Sequence, residues 1–406
     1  MRTPLLRLAL LVVVGPIAGH GYAQDGTVIF DMDTVRHQPT TAGGDQHPIG
    51  TAEAVAGQVG GACRFTFAEG TGFFTASIPG STDWNGAQGL SFWLKGDGSP
   101  NWGGLELIDR EDYSLRYGYC FPLESTEWRK VVVPWCDLVP ELPAGRPIDP
   151  EGGYRPSSFG NLWFGKWWYW RDYPPVSFTV DHVALEPIVE VDRTDYTPAQ
   201  GGTPKLLAKL EAKQPVTIVT MGDSLSDKQH WANREVLWSE VLAGKLREQF
   251  GSEVTLVNPA IGGTQLSQNL VLIPRWLRET PQPDLVTVWF GFNDWDSGMR
   301  GERFAEMLRF AVDRIRRLTA GQSEVLLLTT CPAVERWDTM AELAEAVRTV
   351  AAEKRTGLAD VSAAFHAAAP DEAARPGLYC SDQVHLGPTG HESAAETVLG
   401  AIAGGQ

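Results

Sequence analysis

The sequence is short of positive charge. Lys and Arg number 34 against 50 Asp and Glu, a formal net charge of −16, and no stretch gathers cations into a patch. A phosphate-rich partner needs many such cations to release its counterions, so no nucleic acid partner is expected. Long apolar runs are missing beyond the N-terminus, so no membrane-spanning helix is expected either. There is no His-Glu-x-x-His, no Cys-x-x-Cys pair and no Gly-rich phosphate loop, and neither a metal nor a nucleotide cofactor is expected. Cysteine is sparse and odd in number: Cys63, Cys120, Cys136, Cys331 and Cys380. In an oxidising compartment Cys120 could pair with Cys136 and Cys331 with Cys380, leaving Cys63 over. Five buried, unpaired thiols are the alternative, and spacing does not decide between them.

The one apolar run, residues 8–18, follows Arg2 and Arg7 and precedes the small residues around Gly21-Tyr22-Ala23. It is too short to span a bilayer and reads as a signal peptide, residues 1–23, so a secreted or periplasmic protein is expected. No Cys follows it, so no lipid anchor is suggested. At 406 residues the chain exceeds what one core usually organises, and two domains are expected.

Residues 24–190 read as an all-β jelly-roll sandwich. Short strand-like runs recur at 89–95, 105–108, 115–121 and 128–133, with Gly96-Asp97-Gly98 as a hairpin-type turn. Residues 191–213, rich in Pro and Gly, read as a linker with a short helix at 205–213. From residue 214 to 406, apolar strands near 216–221, 254–257, 285–290, 324–329 and 358–361 alternate with helical segments at 231–250, 266–278, 304–318, 340–354 and 390–402. That alternation predicts a parallel sheet covered by helices on both faces, a three-layer α/β domain.

Sites in such sheets form beyond the carboxyl ends of the strands. Four blocks fall there: Gly222-Asp223-Ser224-Leu225, Asn258-Pro259-Ala260-Ile261-Gly262-Gly263, Gly291-Phe292-Asn293-Asp294, and Asp382-Gln383-Val384-His385. Three-residue spacing lets the last loop present both an imidazole and a carboxylate that orients it. The Asn293 amide is a neutral donor suited to an oxyanion. Asp223 and Asp294 read as braces of their own loops, and His391 as a residue on the surface of the last helix.

Taken in order, these blocks resemble the SGNH (GDSL) hydrolase family over residues 216–404. The resemblance implies that Ser224 is the nucleophile, His385 the general base and Asp382 its orienting partner. It implies an oxyanion hole made of the Ser224 and Gly263 N–H groups and the Asn293 side chain, with Gly262 the competing choice. After the first block this chain has Ser226-Asp227-Lys228, which departs from the family pattern and puts the entrance loop in question.

Trp is abundant, 15 residues with most in the first half, and Trp163-Phe164-Gly165-Lys166-Trp167-Trp168-Tyr169-Trp170 is the densest run. Side chains alternate along a strand, so such a run cannot all point into one core. Some of it is expected to be exposed or buried against the second domain. Phe92-Trp93-Leu94-Lys95-Gly96-Asp97-Gly98 and Trp128-Arg129-Lys130-Val131 resemble, more loosely, β-sandwich carbohydrate-binding modules. Together these features lead to a secreted esterase that removes acetyl groups from an acetylated polysaccharide or oligosaccharide. The alternatives are a lipase, arylesterase or thioesterase of the same fold, and a glycan-binding protein without catalysis.

Overall fold

The computed structural model describes residues 26–40, 50–79 and 83–404. The expected export segment, residues 1–23, lies outside them. The N-terminal half is an antiparallel sandwich of two six-stranded sheets. One sheet runs 50–56, 61–67, 176–186, 89–95 and 129–134, with 27–30 paired to the far end of 176–186. The other runs 139–140, 116–122, 102–109, 159–166, 72–77 and 38–40.

Alternation decides what each strand faces. In Gly72–Ser77, Phe74 and Ala76 enter the sandwich core while Phe73 points away from it. In Arg116–Pro122, Tyr117 and Phe121 point in and Cys120 points out. The outward side of this second sheet is nonetheless buried. Phe73, Trp102, Cys120 and Trp167 share one continuous apolar cluster with Leu266, Leu270 and Ile273 of the C-terminal half. The aromatic run divides accordingly: Trp167, Tyr169 and Trp170 are buried, and Trp168 is 44% exposed.

The C-terminal half is a parallel five-stranded sheet, in the order 254–257, 216–222, 285–289, 324–328 and 357–359. Its strands are continuous apolar runs because helices cover both faces, Trp238–Phe250 and Pro388–Ala403 on one, Gly301–Leu318 and Ala341–Lys354 on the other. The linker stretch holds a helix, Pro204–Glu211, whose Leu206 and Leu210 are buried in the α/β domain's own core.

Several local expectations are corrected. The first long helix starts at Trp238, not 231; residues 231–233 form one 3₁₀ turn. The segment 266–278 is two short helices, Leu266–Val271 and Ile273–Glu279, because Pro274 has no N–H to continue the first. A helix at Val361–Ala368, capped by Asp360, was not legible as one. His391 is not on the surface but 1% exposed. Its Nδ1 accepts the N–H of Trp238, 3.2 Å away, one of the donors that a helix start leaves unpaired. All five cysteines are free thiols.

Candidate active site

The strand Val216–Gly222 ends where the site begins. A Cβ at Gly222 would stand 2.5 Å from Ser226 Oγ and 2.7 Å from Ser226 Cβ, so only glycine fits this crowded strand end. Ser224 follows in a tight turn. The turn is held by Asp223, whose Oδ1 accepts the Leu225 N–H at 3.0 Å, and by Asn233, whose amide donates to the Ser224 carbonyl at 2.7 Å.

The residues expected to act together lie together. Ser224 Oγ is 2.9 Å from His385 Nε2, and His385 Nδ1 is 2.6 Å from Asp382 Oδ2. The other carboxylate oxygen of Asp382 accepts the N–H groups of Val384 and His385 at 3.2 and 3.1 Å, fixing carboxylate and ring in one loop. Partial burial pushes the Asp382 pKa up, but the His385 ring and these N–H donors outweigh it and hold it below the usual value. The loop closes with Gln383 at φ 61, a left-handed conformation that is uncommon without glycine.

The two glycines of the second block are told apart by their partners. Gly262 donates its N–H to Asp227 Oδ2 at 2.9 Å. Gly263, at φ 77, has open space where a Cβ would be, and its N–H is unclaimed among the described residues. Asn293 sits in the short helix Phe292–Asp296. Its amide donates to the Thr264 carbonyl at 3.0 Å and reaches toward Asp223 at 3.4 Å. The amide is thus tied to both neighbouring blocks. Beneath it, Asp223 and Asp294 are fully buried, and burial raises both pKa values to about 7, the Asp223 charge adding to the rise at Asp294.

Four residues of this region were not singled out by their roles from sequence. His230 lies over His385 with ring centroids 4.2 Å apart, and Trp231, 49% exposed, stands 5.8 Å from the same ring. Burial and then the neighbouring His385 lower the His230 pKa. Asp227, in the stretch that departs from the family pattern, accepts a hydrogen bond from Arg171 of the sandwich domain, 3.1 Å away. Arg171 also donates to the Ala260 carbonyl. The chain Arg171–Asp227–Gly262 therefore ties the sandwich to the loop that carries Gly263. The only sequence signal for it was the unusual Asp227 itself. Among the described residues no group of three or more His, Cys, Asp or Glu side chains converges as metal ligands would, and no helix is long and apolar enough to cross a membrane.

A serine hydroxyl, an imidazole and a carboxylate in one hydrogen-bonded line is the arrangement of a serine-dependent acyl-transfer site. The family of GDSL-like Lipase/Acylhydrolase proteins matches residues 220–392, which spans all four blocks. Among solved structures, the α/β half is similar to an acetyl xylan esterase of Geobacillus stearothermophilus, at 20% identity over 46% of this chain and 94% of that one, TM-score 0.38. It is also similar to the lipase/acylhydrolase of Enterococcus faecalis, at 23% identity over 47% and 96%, TM-score 0.39. The sandwich is similar to the family 11 carbohydrate-binding module of Clostridium thermocellum, at 18% identity over 40% and 96%, TM-score 0.33. No curated protein matches the chain.

Proposed function

We propose that this protein is an exported serine esterase that removes acetyl groups from a polysaccharide or oligosaccharide. The observation that carries the reading is the unbroken Ser224–His385–Asp382 hydrogen-bonded line, at 2.9 and 2.6 Å. In this reading His385 Nε2 takes the Ser224 proton as Oγ attacks the ester carbonyl carbon, and Asp382 stabilises the imidazolium that results. The tetrahedral oxyanion is received by the Ser224 and Gly263 N–H groups and by Asn293, whose amide turns from the Thr264 carbonyl. His385 then returns the proton to the sugar alkoxide as the C–O bond breaks. Water, deprotonated by the same ring, releases acetate from Ser224. The half-exposed Trp231 beside His385 offers a sugar ring an apolar face at the leaving-group side.

The test is acetate release from acetylated xylan and related glycans by the full chain. Ser224→Ala is expected to abolish release, with its melting temperature kept close to the parent's. No acetate from any acetylated glycan, alongside turnover of long-chain acyl esters, would replace the substrate assignment with a lipase. Export is checked by mass spectrometry of the mature N-terminus, expected to begin near residue 24.

A further inference from the structure

Where the two domains meet, a cleft of about 400 Å³ is lined by side chains from both. The chain carries −16 overall, yet this cleft is cationic: Lys166, Arg171, Arg275 and Arg278 line it against Asp172 and Glu279. Three of the four cations are already engaged. Lys166 donates to the carbonyls of Ala68, Tyr173 and Pro174. Arg171 is held by Asp227 and Ala260, and Arg278 by Glu124 and Pro100.

Arg275 is different. Its guanidinium lies 5.3 Å from the ring centroid of Trp170 and has no side-chain hydrogen bond or ion pair among the described residues. Burial lowers its pKa. Trp170, in the same cleft, has a buried indole N–H that is also without a partner. A guanidinium stacked on a ring keeps its N–H edge free, and that edge fits a carboxylate through two parallel hydrogen bonds. A desolvated cation gains more from such a partner than an exposed one does.

The cleft adjoins the reacting serine. Ile261 lines the cleft, while a Cβ on the next residue, Gly262, would stand 3.6 Å from Ser224 Cβ. A glycan presenting an ester to Ser224 therefore has the cleft on the other side of one loop. The group read there belongs to a neighbouring sugar, not to the acyl chain.

We propose that this cleft is a subsite for a carboxylate-bearing sugar, a uronic acid unit of the glycan, with Arg275 binding the carboxylate. This rests on the carbohydrate-esterase reading above and narrows it to acidic glycans. The experiment uses the full chain and Arg275→Gln on three substrates: acetylated glucuronoxylan oligosaccharides, neutral acetylated xylo-oligosaccharides and 4-nitrophenyl acetate. For the acidic substrate the substitution is expected to raise KM about tenfold or more with kcat little changed, while the other two turn over as before. Equal KM for acidic and neutral glycans in the native enzyme, or an equal loss on both in the variant, would overturn the subsite. Failure of the underlying esterase reading looks different: no acetate from either glycan. Calorimetric titration with a deacetylated, glucuronate-bearing xylo-oligosaccharide against its neutral counterpart then decides. Tighter binding of the acid that Arg275→Gln abolishes supports the subsite; equal binding removes it.

Discussion

Asp382 and Asn293 make separable contributions if the proposed chemistry holds. Asp382 faces His385 Nδ1 and so selects which imidazole nitrogen is free to take a proton from Ser224. Asp382→Asn is expected to lower kcat by about 10²–10⁴-fold while KM stays near the parent value. Asn293→Ala removes a donor to the oxyanion, a loss of about 2.7–4 kcal/mol, or roughly 10²–10³-fold in kcat. Steady-state kinetics on one acetyl ester checks both, and an unchanged kcat in either variant would strike that residue from the mechanism. These residues were readable because their chemistry sits in short, ordered blocks. His230, Trp231 and Arg171 were not, since each matters only through what the fold lays beside it. Asp227 was visible as a departure from the family pattern, but its partner lies 56 positions away in the other domain.

At the scale of elements, all five strands of the parallel sheet were legible, because continuous apolar runs alternate there with helices. In the sandwich the runs at 89–95, 105–108, 115–121 and 128–133 were marked, and strands such as 61–67, 72–77 and 176–186 were not. The helix ends at Phe250, Leu318 and Lys354 were legible too, but the start of Trp238–Phe250 was not, because what caps it is tertiary, the His391 ring. It stabilises the start of Trp238–Phe250 from a different helix, as a neutral acceptor with its pKa lowered to about 4 by burial. The unfolded chain takes up that proton near pH 6.5, before the folded one does. The stability His391 protects is therefore present above about pH 6.5 and lost as pH falls toward 4. His391→Gln keeps an acceptor without a titrating proton. The gap between parent and variant melting temperatures is expected to move in the variant's favour from pH 7 to pH 5. A gap independent of pH would mean that His391 does not titrate in this window.

At the scale of the molecule, the sequence announced two domains and a connecting stretch but not how closely the halves are joined. Periodicity marks a residue as apolar on one side of a strand; it does not say whether that side meets solvent or another domain. Trp102 and Cys120 could have faced water or a sugar, and they meet the helices of residues 266–279 instead: the Arg278 guanidinium lies 4.9 Å from the Trp102 ring centroid and the Cys120 thiol donates to the Val271 carbonyl at 3.1 Å. Asp137 of the sandwich adds ion pairs to Arg314 and Arg317, at 2.6 and 2.7 Å. The Arg171–Asp227 contact extends this junction to the loop behind Gly263. Arg171→Gln is expected to lower kcat several-fold with a smaller effect on melting, because Gly262 loses the strut that positions it. Equal kcat in the variant would show that the loop holds its shape unaided.

The buried outer face of the second sheet also bears on how the chain is made. The sandwich is synthesised first, and when its strands have paired, Trp163 and Trp167 lie against Phe73, but the helices that complete the cover of this face are still missing. They arrive more than ninety residues after the last sandwich strand ends at Glu186, when the stretch up to Leu277 emerges. Until then the nascent protein carries a sticky, half-finished surface. Such an intermediate invites chaperone binding, and truncations between residues 190 and 265 should aggregate where the complete chain does not.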